Sequence, residues 1–230
     1  EVMARIGGRF FYGDGHWTRL ASSLEKIGLK YDTAPLQKAV PGLLEASGLE
    51  EADCMLYIQV TRGVAPRQHA YPASVRPTVM MYAWEKTLPP IESRHVRVVT
   101  QEDFRWSRCD IKMTSLLGNV MANQSASEQL AYETVFVRGS LITEASHCNI
   151  FFVKDGVVWT HPAGPYILDG ITRQVVLKIC EYLEIPVRLN GIPAKSVHEV
   201  DEAFLTGTSS QVMAIREIDG HRYFDTEAGP

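Results

Sequence analysis

The sequence predicts a two-domain protein of mixed α+β and α/β character, and three observations predict it. Helical and strand-like patterns alternate along the chain, Leu88-Pro89-Pro90 breaks that alternation with an extended stretch, and a run of short strand-like segments dominates the remainder of the chain. The expected division is a small domain over 1–87, a linker over 88–93 and a larger domain over 94–230. With 230 residues, 45% of them hydrophobic and 22% charged, the chain can bury a real core. A formal charge of -4 gives no electrostatic footprint for nucleic acid, and no apolar run is long enough to span a bilayer. Small-molecule partners are expected, with no nucleic acid and no membrane. Cys54, Cys109, Cys148 and Cys180 show no metal-ligand or CxxC spacing, which suits free thiols in the cytoplasm. The chain opens on Glu1 and closes on Gly229-Pro230, so further residues are expected at both ends.

In chain order, the turn-forming Gly13-Asp14-Gly15 precedes a run with Leu20, Leu24 and Ile27 at helical spacing. A second helical run over 36–44 contains Pro41-Gly42, which predicts a kink or two shorter helices. Cys54, Leu56, Ile58 and Val60 alternate with Met55, Tyr57 and Gln59 in the period of a strand with two different faces. That strand ends in a loop over 61–72 holding Arg62, Arg67 and His69, and 78–84 reads as a further strand. Beyond the prolines, 95–100 reads as a strand and 115–130 as a helix that buries Leu116, Leu117, Val120 and Met121. Segments 132–138, 140–149, 150–153 and 157–160 read as a β-meander, with a hairpin turn at Lys154-Asp155-Gly156. A helix opens at Leu168-Asp169-Gly170-Ile171-Thr172 with Val175, Val176, Ile179 and Leu183 on one face. The strand 202–205 leads into Thr206-Gly207-Thr208-Ser209-Ser210, and a last hairpin turns at Asp219-Gly220.

Chemistry concentrates on Arg105-Trp106-Ser107-Arg108-Cys109-Asp110-Ile111-Lys112, between a strand-like and a helix-like run. Apolar neighbours disfavour the ammonium form of a lysine, so its amine becomes available as a nucleophile. Glu144 stands without an acidic neighbour beside the small polar run that begins at Ser146. Arg67 and His69 offer a fork and a further donor for a carboxylate. The unpaired amides of Ile171 and Thr172 at a helix start, and the turn holding Thr208, are anion-friendly. A zinc reading of His147, Cys148 and His161 lacks a fourth ligand at a useful spacing, so no metal is expected.

These pieces together resemble the class IV pyridoxal-phosphate aminotransferases, and within them the bacterial D-amino-acid aminotransferases. The resemblance rests on Tyr57-Ile58-Gln59-Val60-Thr61-Arg62-Gly63 with Arg67 and His69, on Arg105-Trp106 through Lys112, on Thr143-Glu144, and on Ile171-Thr172-Arg173. It implies fold type IV, with a small N-terminal α+β domain and a larger β-rich pseudo-barrel domain with helices. It also implies pyridoxal 5'-phosphate in Schiff-base linkage to Lys112, with Glu144 on the pyridine nitrogen. Arg19, Ile171, Thr172 and Thr208 would hold the phosphate, while Ser146 and His147 line the cofactor pocket. Tyr57, Arg67 and His69 would take the substrate carboxylate, the loop coming from the other subunit of a homodimer, and Arg105 and Glu133 would stand behind the site. The implied activity is ping-pong transfer of an amino group from a D-amino acid such as D-alanine to a 2-oxo acid. Branched-chain L-amino-acid transamination, aminodeoxychorismate lysis and a non-catalytic dimer of the same fold are the rivals. The chain departs from the family pattern at Ala145 and His147-Cys148, which make the pocket wall bulkier.

Overall fold

The computed structural model describes residues 1–74, 76–91 and 94–225, and the chain divides into two units, Glu1–Leu88 and Pro89–Pro230. Glu92 and Ser93 of the expected linker, and 226–230 of the expected larger domain, lie outside the described residues.

In the first unit an antiparallel sheet in the order β2-β1-β3-β4 is built from β1 (Val2–Ile6), β2 (Arg9–Phe10), β3 (Cys54–Thr61) and β4 (Thr78–Glu85). Helices α1 (Gly13–Lys26) and α2 (Ala34–Ala46) contribute Leu20, Leu24, Leu36, Val40 and Leu44 to one core with Met3, Cys54, Leu56 and Ile58. The period-2 pattern of β3 is thus the pattern that meets the helices. Two expectations are corrected here. Gly13-Asp14-Gly15 is the first turn of α1 rather than a turn before it, with Tyr12 at φ 48° as the cap and Asp14 complementing the helix dipole. Of the two alternatives at Pro41, two shorter helices is the one overturned, because α2 is a single helix through that residue. Leu36, Val40 and Leu44 hold one face in the core, while Pro41 and Gln37, whose carbonyl loses its usual donor, lie on the exposed side, so that carbonyl is not left in the core.

The second unit is a curled mixed sheet in the order β10-β9-β8-β11-β12-β5-β6-β7, with β13 (His221–Arg222) beside β12. Its strands are β5 (His95–Glu102), β6 (Glu133–Arg138), β7 (Leu141–Ala145), β8 (Asn149–Lys154), β9 (Val157–Trp159), β10 (Val187–Arg188), β11 (Glu202–Gly207) and β12 (Gln211–Ile218). The pairs β5–β6, β5–β12 and β9–β10 are parallel and the others antiparallel. The far edge of β7 is tied to the segment after β10: Ile142 N donates to Ile192 O at 2.8 Å and Ala194 N to Ser140 O at 2.9 Å. This is the expected pseudo-barrel. The expected meander is corrected, because β7 does not pair with β8. After the turn in which Ala145 N donates to Cys148 O at 2.8 Å, β8 runs beside β11 instead. The hairpin turns at Asp155-Gly156 and Asp219-Gly220 do form, each pair at positive φ as a type I′ turn requires.

Helix α3 (Leu117–Glu128) overturns a burial expectation. Its inward face is Ala122 and Ala126, with Asn119 donating to Ser146 O at 2.7 Å, while Leu116, Leu117, Val120 and Met121 are exposed, Leu117 at 72%. Alanines let the helix approach the sheet closely, and the larger side chains are turned outward. In α4 (Ile171–Tyr182) the buried residues are Ile171, Thr172, Arg173, Val175 and Cys180; Val176 is half-buried, and Ile179 and the following Leu183 are exposed. Among the described residues no helix is long and apolar enough to cross a membrane.

Candidate active site

The loop between β5 and α3 carries Lys112, half-buried beside the buried Ile111. Several contacts fix the loop. Cys109 N donates to Pro165 O at 2.9 Å, Arg138 donates to the Arg105 carbonyl at 3.0 Å, and Gly118 in the first turn of α3 passes so close that a Cβ there would lie 3.2 Å from Arg105 Cγ.

Arg105 links this loop to Glu144 on β7. Its Nη1 donates to Glu144 Oε1 at 2.7 Å, its Nε and Nη2 donate to Asp103 Oδ1 and Oδ2 at 2.9 and 3.1 Å, and its guanidinium stacks 4.0 Å from the Phe136 ring centre. Arg138 donates to Asp103 Oδ2 at 2.9 Å, so Arg138, Asp103, Arg105 and Glu144 form a chain of alternating charge. Glu144 Oε2 accepts from Leu168 N at 2.9 Å and Asn149 Nδ2 at 3.2 Å. Burial pushes the Glu144 carboxyl up to about 7, against the pull of the Arg105 charge, its hydrogen bond and the Leu168 amide. Burial also acts on Asp103, but the bonds from Arg105 and Arg138 outweigh it and hold that carboxyl below its ordinary range. The inner carboxylate is therefore fixed as an anion, and the one at the site can exchange a proton near neutrality.

Asn149 carries the arrangement on to the start of α4. Its Nδ2 also donates to Leu168 O at 2.8 Å, and it sits opposite Thr206 of β11. Gly170, the residue before α4, is required by this contact, since a Cβ would lie 2.1 Å from Asn149 Oδ1. The N-cap residue Gly170 has no side chain to cap α4, so the N-terminal amides are presented forward together with the partial positive charge of the helix end. Thr206 Oγ1 is buried with no hydrogen-bond partner among the described residues, and Thr208 comes two residues later in the half-buried turn.

The turn expected to form the pocket wall is anchored by Glu133. Its Oε1 accepts from Ser146 Oγ at 3.2 Å, from Cys148 N at 3.1 Å and from His147 N, while His147 Nδ1 lies 3.1 Å away. Burial, then the Glu133 charge, push the Cys148 thiol well above its ordinary value.

The structure thus joins Arg105 to Glu144, Glu144 through Asn149 and Leu168 to the Ile171-Thr172 helix start, and Glu133 to Ser146 and His147. Asp103, Arg138 and Asn149 were not legible as site residues, because no spacing ties them to it, whereas Thr206 opens the anion-friendly turn that the sequence singles out. The other expected residues belong to the first unit. Arg19 donates to both oxygens of the buried Glu1, at 3.0 and 2.9 Å, so it is paired rather than solvated, and His16 Nδ1 lies 3.0 Å from the same carboxylate. Tyr57 donates to Gln59 at 2.7 Å and stacks on Tyr82. Arg67 and His69 are exposed in the loop after β3. That loop is pinched at Gly63, at φ 104°, where a Cβ would lie 2.1 Å from the Arg76 carbonyl oxygen.

The second unit's residues fit pyridoxal phosphate. A buried carboxylate balanced near neutrality suits a protonated ring nitrogen, and an uncapped helix start beside an unpartnered buried hydroxyl suits a phosphate.

Comparison with known proteins agrees. The family described as amino-transferase class IV matches residues 1–218. A D-alanine aminotransferase of Staphylococcus epidermidis is 37% identical over 233 residues, covering 100% of this chain and 82% of the relative. The crystal structure of a branched-chain aminotransferase from the thermophilic archaeon Thermoproteus uzoniensis, with norvaline, superposes with a TM-score of 0.86 at 28% identity, covering 100% of this chain and 80% of that one. The branched-chain amino acid aminotransferase of Escherichia coli shares the fold, with a TM-score of 0.83 at 20% identity and coverage of 100% and 79%. The chain belongs to the class IV aminotransferases, transaminases that depend on pyridoxal phosphate.

Proposed function

We propose that this chain is a D-amino-acid aminotransferase, moving the amino group of a D-amino acid such as D-alanine to a 2-oxo acid such as pyruvate or 2-oxoglutarate. The observation that carries the transaminase reading is the Glu144 carboxylate, enclosed by Arg105, Asn149 and the Leu168 amide and balanced near neutrality. The choice of the D-enantiomer is supported by the 37% likeness, over the whole chain, to D-alanine aminotransferase.

When bound, pyridoxal phosphate supplies an aldehyde that receives the amino group and a protonated ring that draws negative charge from the substrate Cα. Glu144 holds the proton on the ring nitrogen, and Arg105 keeps Glu144 anionic while it does so. Lys112 Nζ would hold the cofactor through its amine and, with that amine free, would act as the general base that takes the proton from the substrate Cα on one face. The Ile171 and Thr172 amides, Thr208 and Arg19 bind the phosphate, and Ser146 and His147 line the pocket with Glu133 behind them. Tyr57, Arg67 and His69 bind the substrate carboxylate and so decide which hydrogen faces Lys112. In this reading the loop with Arg67 and His69 comes from the second subunit of a homodimer. Residues 1–87 form the small domain and 94–230 the cofactor-binding domain, joined by 88–93. Four free thiols are in keeping with a cytoplasmic enzyme.

A second reading, branched-chain L-amino-acid transamination, has the 28% likeness to the Thermoproteus enzyme in its favour. The purified protein should be yellow, and D-alanine should bleach its visible band while L-leucine leaves it unchanged. Bleaching by L-leucine alone transfers the assignment to the second reading, and normal turnover by Lys112→Ala overturns both.

A further inference from the structure

We propose that Glu133, His147 and Cys148 form a binding site for one thiophilic divalent cation such as Zn2+. One ligand atom from each residue lies within 4.8 Å of those of the other two, and together they present a carboxylate oxygen, an imidazole nitrogen and a sulfur. His161, the partner that sequence spacing suggests, is turned away: its Nδ1 lies 2.9 Å from Pro162 O and its ring meets Tyr166 edge-on. The third ligand comes from β6 instead.

A carboxylate that merely anchors a turn would account for part of the geometry. Glu133 Oε1 performs that task alone, taking Ser146 Oγ and the His147 and Cys148 amides. Glu133 Oε2, fully buried, has no hydrogen-bond partner among the described residues, which leaves an acceptor on the same carboxylate that the other two ligands approach. The backbone of the turn carrying His147 and Cys148 is held by those amide bonds and by Asn119 on Ser146 O, so the stems of two ligands are in place before any cation arrives. Behind Cys148, Ser210 Oγ lies 3.3 Å from the sulfur and 3.2 Å from Tyr132 OH, a polar backing of the kind that orients metal ligands.

Three protein ligands of nitrogen, oxygen and sulfur type, with a fourth position for water, match tetrahedral zinc coordination. The His147 side chain is 47% exposed and gives the cation and its water a way in. Binding breaks the Cys148 S–H bond, releases its proton to solvent and forms the metal–sulfur bond. The thiolate and the Glu133 carboxylate then balance the double charge. The site does not depend on which amino acid the enzyme uses.

The test is titration of the purified holoenzyme with Cd2+, read by thiolate-to-metal absorption in the ultraviolet, with bound metal counted by elemental analysis after dialysis. The expected result is one Cd2+ per chain with the thiolate band, affinity at least about tenfold weaker in His147→Ala, and no band in Cys148→Ser. His147 is half-exposed, so its replacement leaves the core intact, and a thermal melt checks that both variants are folded. No band in the wild type, equal affinity in His147→Ala, or a band persisting in folded Cys148→Ser, hence arising at Cys54, Cys109 or Cys180, each overturns the proposal.

Discussion

Replacing Arg105 by methionine keeps most of the side chain's length and removes its charge from between two carboxylates. Its guanidinium, 5% exposed, donates twice to Asp103 and once to Glu144. Removing one partner of a buried ion pair ordinarily costs about 3 to 5 kcal/mol, because the other charge is left without compensation. Two features place Arg105→Met at the lower end. Asp103 keeps the two bonds from Arg138, at 3.2 and 2.9 Å, and Glu144, already at about 7, can take a proton. A loss of about 3 kcal/mol near pH 7 follows, or a melting temperature lower by roughly 6 to 12 °C for a chain of this size. The sign of the pH dependence is fixed. Without Arg105 the Glu144 carboxyl rises further, so above pH 7 the folded variant holds a proton that the folded wild type has released. The loss then grows by up to about 1.4 kcal/mol per pH unit. Thermal melts of both proteins at pH 6 and pH 8, after the cofactor is stripped so that Glu144 is free to titrate, provide the measurement. A loss below about 1 kcal/mol, or one equal at the two pH values, would refute the reasoning.

Two further outcomes concern the same site. In cofactor-stripped wild type, Glu144 has a folded value of about 7 against an ordinary 4.5, so its contribution is complete below pH 4.5 and is lost as pH rises to 7. The gap is worth about 3 kcal/mol, and urea denaturation at both ends of that window should show the fall in wild type but not in Glu144→Gln; an equal fall in both would show that other groups cause it. Gly170→Ala puts a Cβ 2.1 Å from Asn149 Oδ1 and displaces the amide that holds Glu144 and Leu168. It should lose cofactor on dialysis at least about tenfold faster than wild type, read from the visible band, and unchanged retention would mean that the Asn149 contact does not govern binding.

Local patterns were legible in the sequence because local physics decides them. The alternation over 54–60 announces β3, and Asp155-Gly156 and Asp219-Gly220 announce their hairpins, since few residues adopt positive φ twice in succession. Non-local choices were not legible. Nothing in Asn149–Lys154 indicates that it pairs with residues about fifty positions later rather than with β7. Helix α3 misled because its buried face is small and polar, through Asn119, Ala122 and Ala126, and a hydrophobic count selects the opposite side. The site divides in the same way. Lys112, Glu144 and the Ile171-Thr172 start stand inside recognisable motifs, whereas Asp103, Arg138 and Asn149 act only through partners that folding brings to them.

The bonds between β7 and the 192–194 segment bear on how this chain behaves at high concentration. An open edge strand offers a row of unpaired amides and carbonyls to any neighbouring molecule and is a common seed of aggregation. Here Ile142 N and Ser140 O are engaged by Ile192 and Ala194, so β7 has partners on both sides. That protection arrives late, because the capping residues lie some fifty positions downstream. A nascent or partly unfolded chain exposes β7 until residue 194 is in place. Conditions or substitutions that loosen the 192–194 segment should therefore provoke self-association before they impair the catalytic groups.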